Sequence, residues 1–138
     1  MSTWLMDSAL FKMLATPKAK PLLEWCKANE PSLFISAASL TEISLGINKL
    51  PGSQSHRASA QRNWLDEIIT RFPNRIHPVD AAIAKRAGAL LPSLTTTLPR
   101  FRFHDALLLA TAQMHGHGLI TRRDEIFRPW AKVQIATV

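Results

Sequence analysis

Cysteine is nearly missing: the 138 residues include one, Cys26. That excludes an intramolecular disulfide and argues against a thiolate zinc site, and a reducing, cytoplasmic setting fits best. Cys26 stands beside Trp25 in a helical stretch and reads as a small buried hydrophobe. Glycine is also scarce, with five in the chain. No glycine-rich phosphate loop occurs, which argues against nucleoside-triphosphate binding. Long apolar runs are lacking too; Ala106–Ala110 falls far short of the ~20 residues a spanning helix needs, so no membrane partner is expected. The N-terminus lacks the basic-then-apolar order of a signal peptide. There is no low-complexity tract and no internal repeat. Carboxylates are few: 10 Asp plus Glu face 17 Lys plus Arg, a net charge of +7 with neutral histidines. Such an excess attracts polyanions, of which nucleic acid is the commonest.

What is present suits one folded domain over residues 1–138, with 46% hydrophobic and 20% charged residues and enough length for a core without staples. Thr3–Met6 is short, apolar and strand-like, and Asp7-Ser8 then caps a helix through Leu14. Pro17 and Pro21 open a second helix running to Asn29. Leu33–Ser36 reads as a buried strand. Leu40, Ile43, Ile47 and Leu50 recur at helical spacing until Pro51-Gly52. Trp64, Leu65, Ile68, Ile69 and Phe72 mark a further helix, with Trp64 as core or dimer interface. Its basic start at His56, Arg57 and Arg62 reads as a solvated face. Ile76–Val79 is a third strand, weakened by Pro78. Asp80 caps a helix through Leu91, and a loop is expected from Pro92 to about Phe103. Asp105–His115 is a strongly apolar helix stopped by Gly116. Leu119–Thr121 and Val133–Ile135 complete the strands.

Short apolar strands alternating with helices predict a three-layer α/β domain, with a short parallel sheet of four or five strands between helices. Sites in such sheets form beyond the carboxyl ends of the strands. Asp7 stands there after the first strand, Ser36 after the second and Thr121 after the fourth, with Arg122, Arg123, Asp124 and Glu125 following. Asp7 alone would serve as a helix cap. Glu42 lies beside the Leu40/Ile43/Ile47 stripe, and Ser39 and Gly46 leave room next to it. Asp105 shares a face with Leu108, Leu109 and Ala112; a charge turned to the core needs a partner, and a metal ion would supply one. Carboxylates without histidine or thiolate make a hard, oxygen-only site suited to Mg²⁺ or Mn²⁺. Such ions serve phosphoryl chemistry.

Four stretches in order carry a resemblance. Leu5-Met6-Asp7-Ser8 resembles the opening strand of PIN-domain ribonucleases. Leu40-Thr41-Glu42-Ile43, with Gly46-Ile47, resembles their central glutamate helix. His104-Asp105-Ala106-Leu107-Leu108-Leu109-Ala110-Thr111-Ala112 is similar to their Asp-Ala-Leu helix, and Leu119-Ile120-Thr121-Arg122 with Phe127 to their last strand and turn. Order and spacing are those of VapC-type toxins. The resemblance implies a Mg²⁺- or Mn²⁺-dependent endoribonuclease. It implies a homodimer inhibited by a cognate antitoxin and often directed at structured RNA such as tRNA. Asp7, Glu42, Asp105 and Asp124 would be catalytic and metal-holding, with Ser8 or Thr121 bonding water or phosphate. Two positions depart from the pattern. Ala9 replaces an Asn two places after the first Asp. Arg123 stands where Asp or Asn is usual, with Asp124 one place later. The alternative is therefore a catalytically weak PIN domain that binds RNA or antitoxin. A receiver-type domain fits less well, because a single Asp ends the first strand.

Two further features stay outside that reading. Arg100-Phe101-Arg102-Phe103 would either grip RNA by phosphate pairing and base stacking or, the preferred reading, pack its phenylalanines inward. His115 and His117 flank Gly116 and read as a helix C-terminal turn rather than a transition-metal pair.

Overall fold

The structure, a computed structural model, describes residues 2–14, 20–97, 103–122, 124–128, 130 and 135–136. Trp4–Met6 forms β1, and the chain turns at Asp7 straight into α1, Ser8–Leu14. Helix α2, Lys20–Asn29, leads through a 3₁₀ turn at Glu30–Ser32 into β2, Leu33–Ser36. Helices α3, Ala37–Asn48, and α4, Ser55–Arg71, follow. Next come β3, Ile76–His77, and α5, Ala81–Thr97. Then α6, Phe103–His115, feeds β4, Gly118–Ile120. A single-turn α7, Asp124–Phe127, precedes β5, Ile135–Ala136.

The strands form a five-stranded sheet in the order β3-β2-β1-β4-β5, parallel throughout. In β1 the side chains alternate between faces, as strand geometry requires. Leu5 joins a core with Leu119, Phe127 and the buried faces of α5 and α6, including Leu94 and Leu108. Met6 joins a second core with Ile35, Ile120, Leu10 of α1, Cys26 of α2, Ile43 of α3 and Leu65 of α4. Each sheet face thus carries its own helical layer, the three-layer arrangement expected. The chain runs outward from β1 to β2 and β3, then returns to the other side of β1 as β4. That reversal opens a crevice at the carboxyl ends of β1, β2 and β4.

Several local choices follow from single residues. Ser36 ends β2 and caps α3, its hydroxyl accepting from Ala38 N at 3.1 Å. Asp80 caps α5 through a 2.9 Å bond from Ile83 N. Gly116 adopts φ +68° just after α6, a left-handed conformation that suits glycine at a helix stop. Pro78 holds β3 to two residues, because proline cannot donate to the ladder.

The expected end of α5 at Leu91 is corrected: the helix runs on through Pro92 to Thr97. Leu94 is fully buried in the core beside α6, and that packing outweighs the backbone bond that proline cannot make. The expected loop from Pro92 is therefore helical at least to Thr97. Helix α6 begins at Phe103, two residues earlier than expected. Phe103 is 67% exposed, so at this position the phenylalanine does not pack inward. Arg100, Phe101 and Arg102 lie outside the described residues. The last strand is seen at Ile135–Ala136, while Val133 and Gln134 lie outside the described residues. Among the described residues no helix is long and apolar enough to cross a membrane.

Candidate active site

Asp7 is placed by β1 and its neighbour β4. Its backbone N–H donates to Ile120 O at 3.0 Å, which extends the β1–β4 ladder by one bond and turns the carboxylate into the crevice. The side chain is fully buried. Thr121 Oγ1, just past β4 and equally buried, donates to Asp7 Oδ2 at 2.7 Å. Ser8 Oγ and Ala9 N both approach Oδ1 at 3.5 Å. Burying a carboxylate is costly unless polar groups replace its water, and the strand-end hydroxyl does so here.

Glu42 comes from the second turn of α3, whose start is fixed by the Ser36 cap. Ser8 Oγ donates to Glu42 Oε2 at 2.5 Å. His104 Nε2 stands 3.3 Å from the same oxygen and 3.4 Å from Ser8 Oγ. Ser8, Glu42 and His104 therefore form a triangle contributed by α1, α3 and α6. Asp105, the next residue of α6, is fully buried in the first turn. There the exposed N–H dipoles of the helix favour negative charge.

The structure thus brings Asp7 and Thr121 together and joins Ser8 to both Asp7 and Glu42. The first turn of α6, with His104 and Asp105, stands beside that group. A histidine that the carboxylate set did not include also stands here: His104 touches Glu42. Its sequence signal was slight, a histidine preceding a core-facing aspartate at a helix start. Asp124 opens α7, but its side chain and all of Arg123 lie outside the described residues. Among the described residues, no group of three or more His, Cys, Asp or Glu is gathered as a metal site. By donor type the crevice still fits a hard divalent cation, since buried carboxylate and hydroxyl oxygens line it.

A family profile described as the PIN domain matches residues 8–132, most of the chain and all of the crevice except Asp7. The chain belongs to the PIN-domain family. Solved structures with the same fold span nearly the whole PIN domain. A structure of FitAcB from Neisseria gonorrhoeae is 23% identical, covers 96% of each chain and gives a TM-score of 0.79. DNA-bound VapBC from Salmonella typhimurium is 17% identical over 99% of this chain and 98% of that one, with a TM-score of 0.78. A toxin–antitoxin complex from Klebsiella pneumoniae is 28% identical over 95% of each chain, with a TM-score of 0.66. No curated protein matches the sequence significantly.

Proposed function

We propose that this PIN domain is a metal-dependent endoribonuclease, the toxin of a toxin–antitoxin pair. Its nuclease class and an antitoxin partner are supported by the family and by the toxin–antitoxin complexes that share its fold. The observation that carries the reading is the crevice itself. Buried Asp7 is held by Thr121 at the sheet's switch point, and the Ser8–Glu42–His104 triangle stands next to it. Asp7, Glu42, Asp105 and Asp124 would hold Mg²⁺ or Mn²⁺. A bound divalent ion supplies charge neutralisation at the phosphoryl group and activation of water.

The protein's own residues do the positioning. Thr121 fixes one oxygen of Asp7, and Ser8 holds Glu42 from the adjoining helix. His104 stands beside Ser8 against the same Glu42 oxygen and places a proton donor or acceptor there. The excess of positive charge, +7 in sum, favours the RNA backbone as the ligand. A homodimer and a cytoplasmic location complete the proposal.

One observation favours a second reading, a PIN domain that binds RNA or antitoxin without cutting. Glu42 already has two partners in Ser8 and His104, and no three described ligands are gathered. Incubation of purified protein with labelled RNA separates the two. Cleavage that appears with Mn²⁺ or Mg²⁺ and stops with EDTA supports the nuclease; retained RNA binding with no metal-dependent cleavage supports the second reading.

A further inference from the structure

Aromatic residues are few, six Phe and four Trp, and nearly all of the described ones serve the core. Phe72 and Phe127 are buried, and Phe34 and the four tryptophans pack partly buried against the two cores. Phe103 is the exception, 67% exposed at the first residue of α6. Among the described side chains it is the one exposed aromatic ring. The other exposed large hydrophobics, Leu23, Leu45, Ile69, Val79 and Met114, are aliphatic.

Single apolar residues on a surface need no function; the place of this one gives it a meaning. Phe103 directly precedes His104, whose Nε2 stands 3.3 Å from Glu42 Oε2 and 3.4 Å from Ser8 Oγ. The residue after that is Asp105, fully buried. Consecutive Cα atoms lie about 3.8 Å apart. The second and third residues of α6 therefore fix the helix start against the carboxylate crevice, while the first keeps its ring in water. Burial of that ring would favour folding, and the fold leaves it outside.

We propose that Phe103 stacks on an unpaired nucleobase next to the phosphate held in the crevice, and so selects RNA that presents a free base face there. The proposal rests on the nuclease reading above and adds to it a residue that touches the substrate. Every base offers a π-face to an aromatic ring, so such stacking tolerates any sequence. Within a duplex those faces are covered by neighbouring base pairs, which leaves loops, bulges and ends as partners. The setting of the ring is charged rather than apolar. Arg100 and Arg102 precede it in sequence, and exposed Arg122 follows Thr121, whose hydroxyl holds Asp7. Guanidinium groups suit phosphate, whereas the centre of a protein interface is depleted of charge.

Fluorescence anisotropy tests the proposal with a labelled short single-stranded RNA and with the same strand annealed to its complement. Both are titrated at fixed salt in Ca²⁺, which takes oxygen ligands as Mg²⁺ does. Phe103→Ala and Phe103→Leu should weaken single-strand binding about tenfold and leave duplex binding unchanged, and Phe103→Trp should restore it. Because the ring is exposed, these variants should keep the fold, which circular dichroism checks. 2-Aminopurine placed in the strand should be quenched by the parent and by Phe103→Trp, and less by Phe103→Leu. Cleavage of the same strand in Mn²⁺ is followed separately. Cleavage by the parent with equal single-strand affinity in Phe103→Leu overturns the stacking role and leaves the nuclease reading standing. Phe103-dependent binding without cleavage supports the stacking role and counts against the nuclease. Absence of RNA binding, or an equal loss for single strand and duplex, overturns the proposal. So does a Phe103→Ala protein with a changed oligomeric state and intact RNA affinity, which would give the ring to a protein interface.

Discussion

Thr121 Oγ1 donates a 2.7 Å hydrogen bond to Asp7 Oδ2, joining two fully buried side chains 114 positions apart in sequence. The bond ties the ends of β1 and β4 together at the point where the candidate metal carboxylate stands. Thr121→Val keeps the shape and removes the donor. The cost of a lost hydrogen bond to a charged group is about 1.5–3 kcal/mol. The expected outcome is a lower urea midpoint with weaker Mn²⁺ binding, and Thr121→Ser should restore most of both. A Thr121→Val protein as stable as its parent would mean that the bond only replaces what water supplies.

Cleavage should require Mg²⁺ or Mn²⁺ and cease in EDTA. Asp105 is the sharpest probe of this, being fully buried in the first turn of α6. Asp105→Asn should abolish cleavage while the protein still folds. Without metal it should melt no lower than the parent, because a fully buried side chain has lost its charge. Gel assays and thermal melts check both halves. Full turnover by Asp105→Asn would move the site elsewhere.

Much of the site was legible because strand ends are legible. Asp7, Ser36 and Thr121 each follow a short apolar run, and a parallel sheet leaves such residues at one edge. Glu42 and Asp105 were found by helical phase, as charges beside or within an apolar stripe, and Asp105 is indeed buried. His104 was passed over because a histidine at a helix start has no phase signal; only the meeting of α3 and α6 gives it a role. The same holds for His77, which stood in sequence only inside a proline-weakened strand and meets His117 only in the folded sheet. Pro92 misled for a different reason. Its local preference is to end a helix, and the burial of Leu94 overrides it.

Ser39 offers a test of packing beside the site. Its hydroxyl is buried and has no hydrogen-bond partner among the described residues, one turn before Glu42 on α3. A buried unsatisfied polar group costs about 1–3 kcal/mol. Ser39→Ala should therefore leave stability unchanged or raise it, seen as an equal or higher melting temperature. A clear loss would show that the hydroxyl has a partner in solution, such as a bound water.

The histidine cluster predicts how stability follows pH. Burial, then the neighbouring His77 and His115, lowers His117 to about 4, and burial and His115 lower His77. Both rings bind protons more readily in the unfolded chain. Stability is thus fully present above the unfolded imidazole value of about 6.5 and is lost as pH falls toward about 4. Urea midpoints across that window should fall, and His117→Gln should flatten the part of the slope that His117 contributes. An equal slope in the variant would assign the loss to the carboxylates.

Asp124 is where the site proposal is most exposed. It opens α7 three positions after Thr121, whose hydroxyl holds Asp7. Three residues span at most about 10 Å, so the start of α7 is within that distance of Thr121 along the chain. Arg123, in the place where the family resemblance expects Asp or Asn, is the competitor. An arginine lodged among the carboxylates would oppose the cation they suit. We therefore expect Asp124 to be a ligand and Arg123 to face phosphate. Asp124→Ala should weaken Mn²⁺ binding and slow cleavage, while Arg123→Ala should leave Mn²⁺ affinity intact and weaken RNA binding with a shallower salt dependence. The opposite assignment has its own signature: tighter Mn²⁺ binding in Arg123→Asp with no change in Asp124→Ala. Calorimetric Mn²⁺ titration of the three variants decides between them, since each arrangement changes a different one.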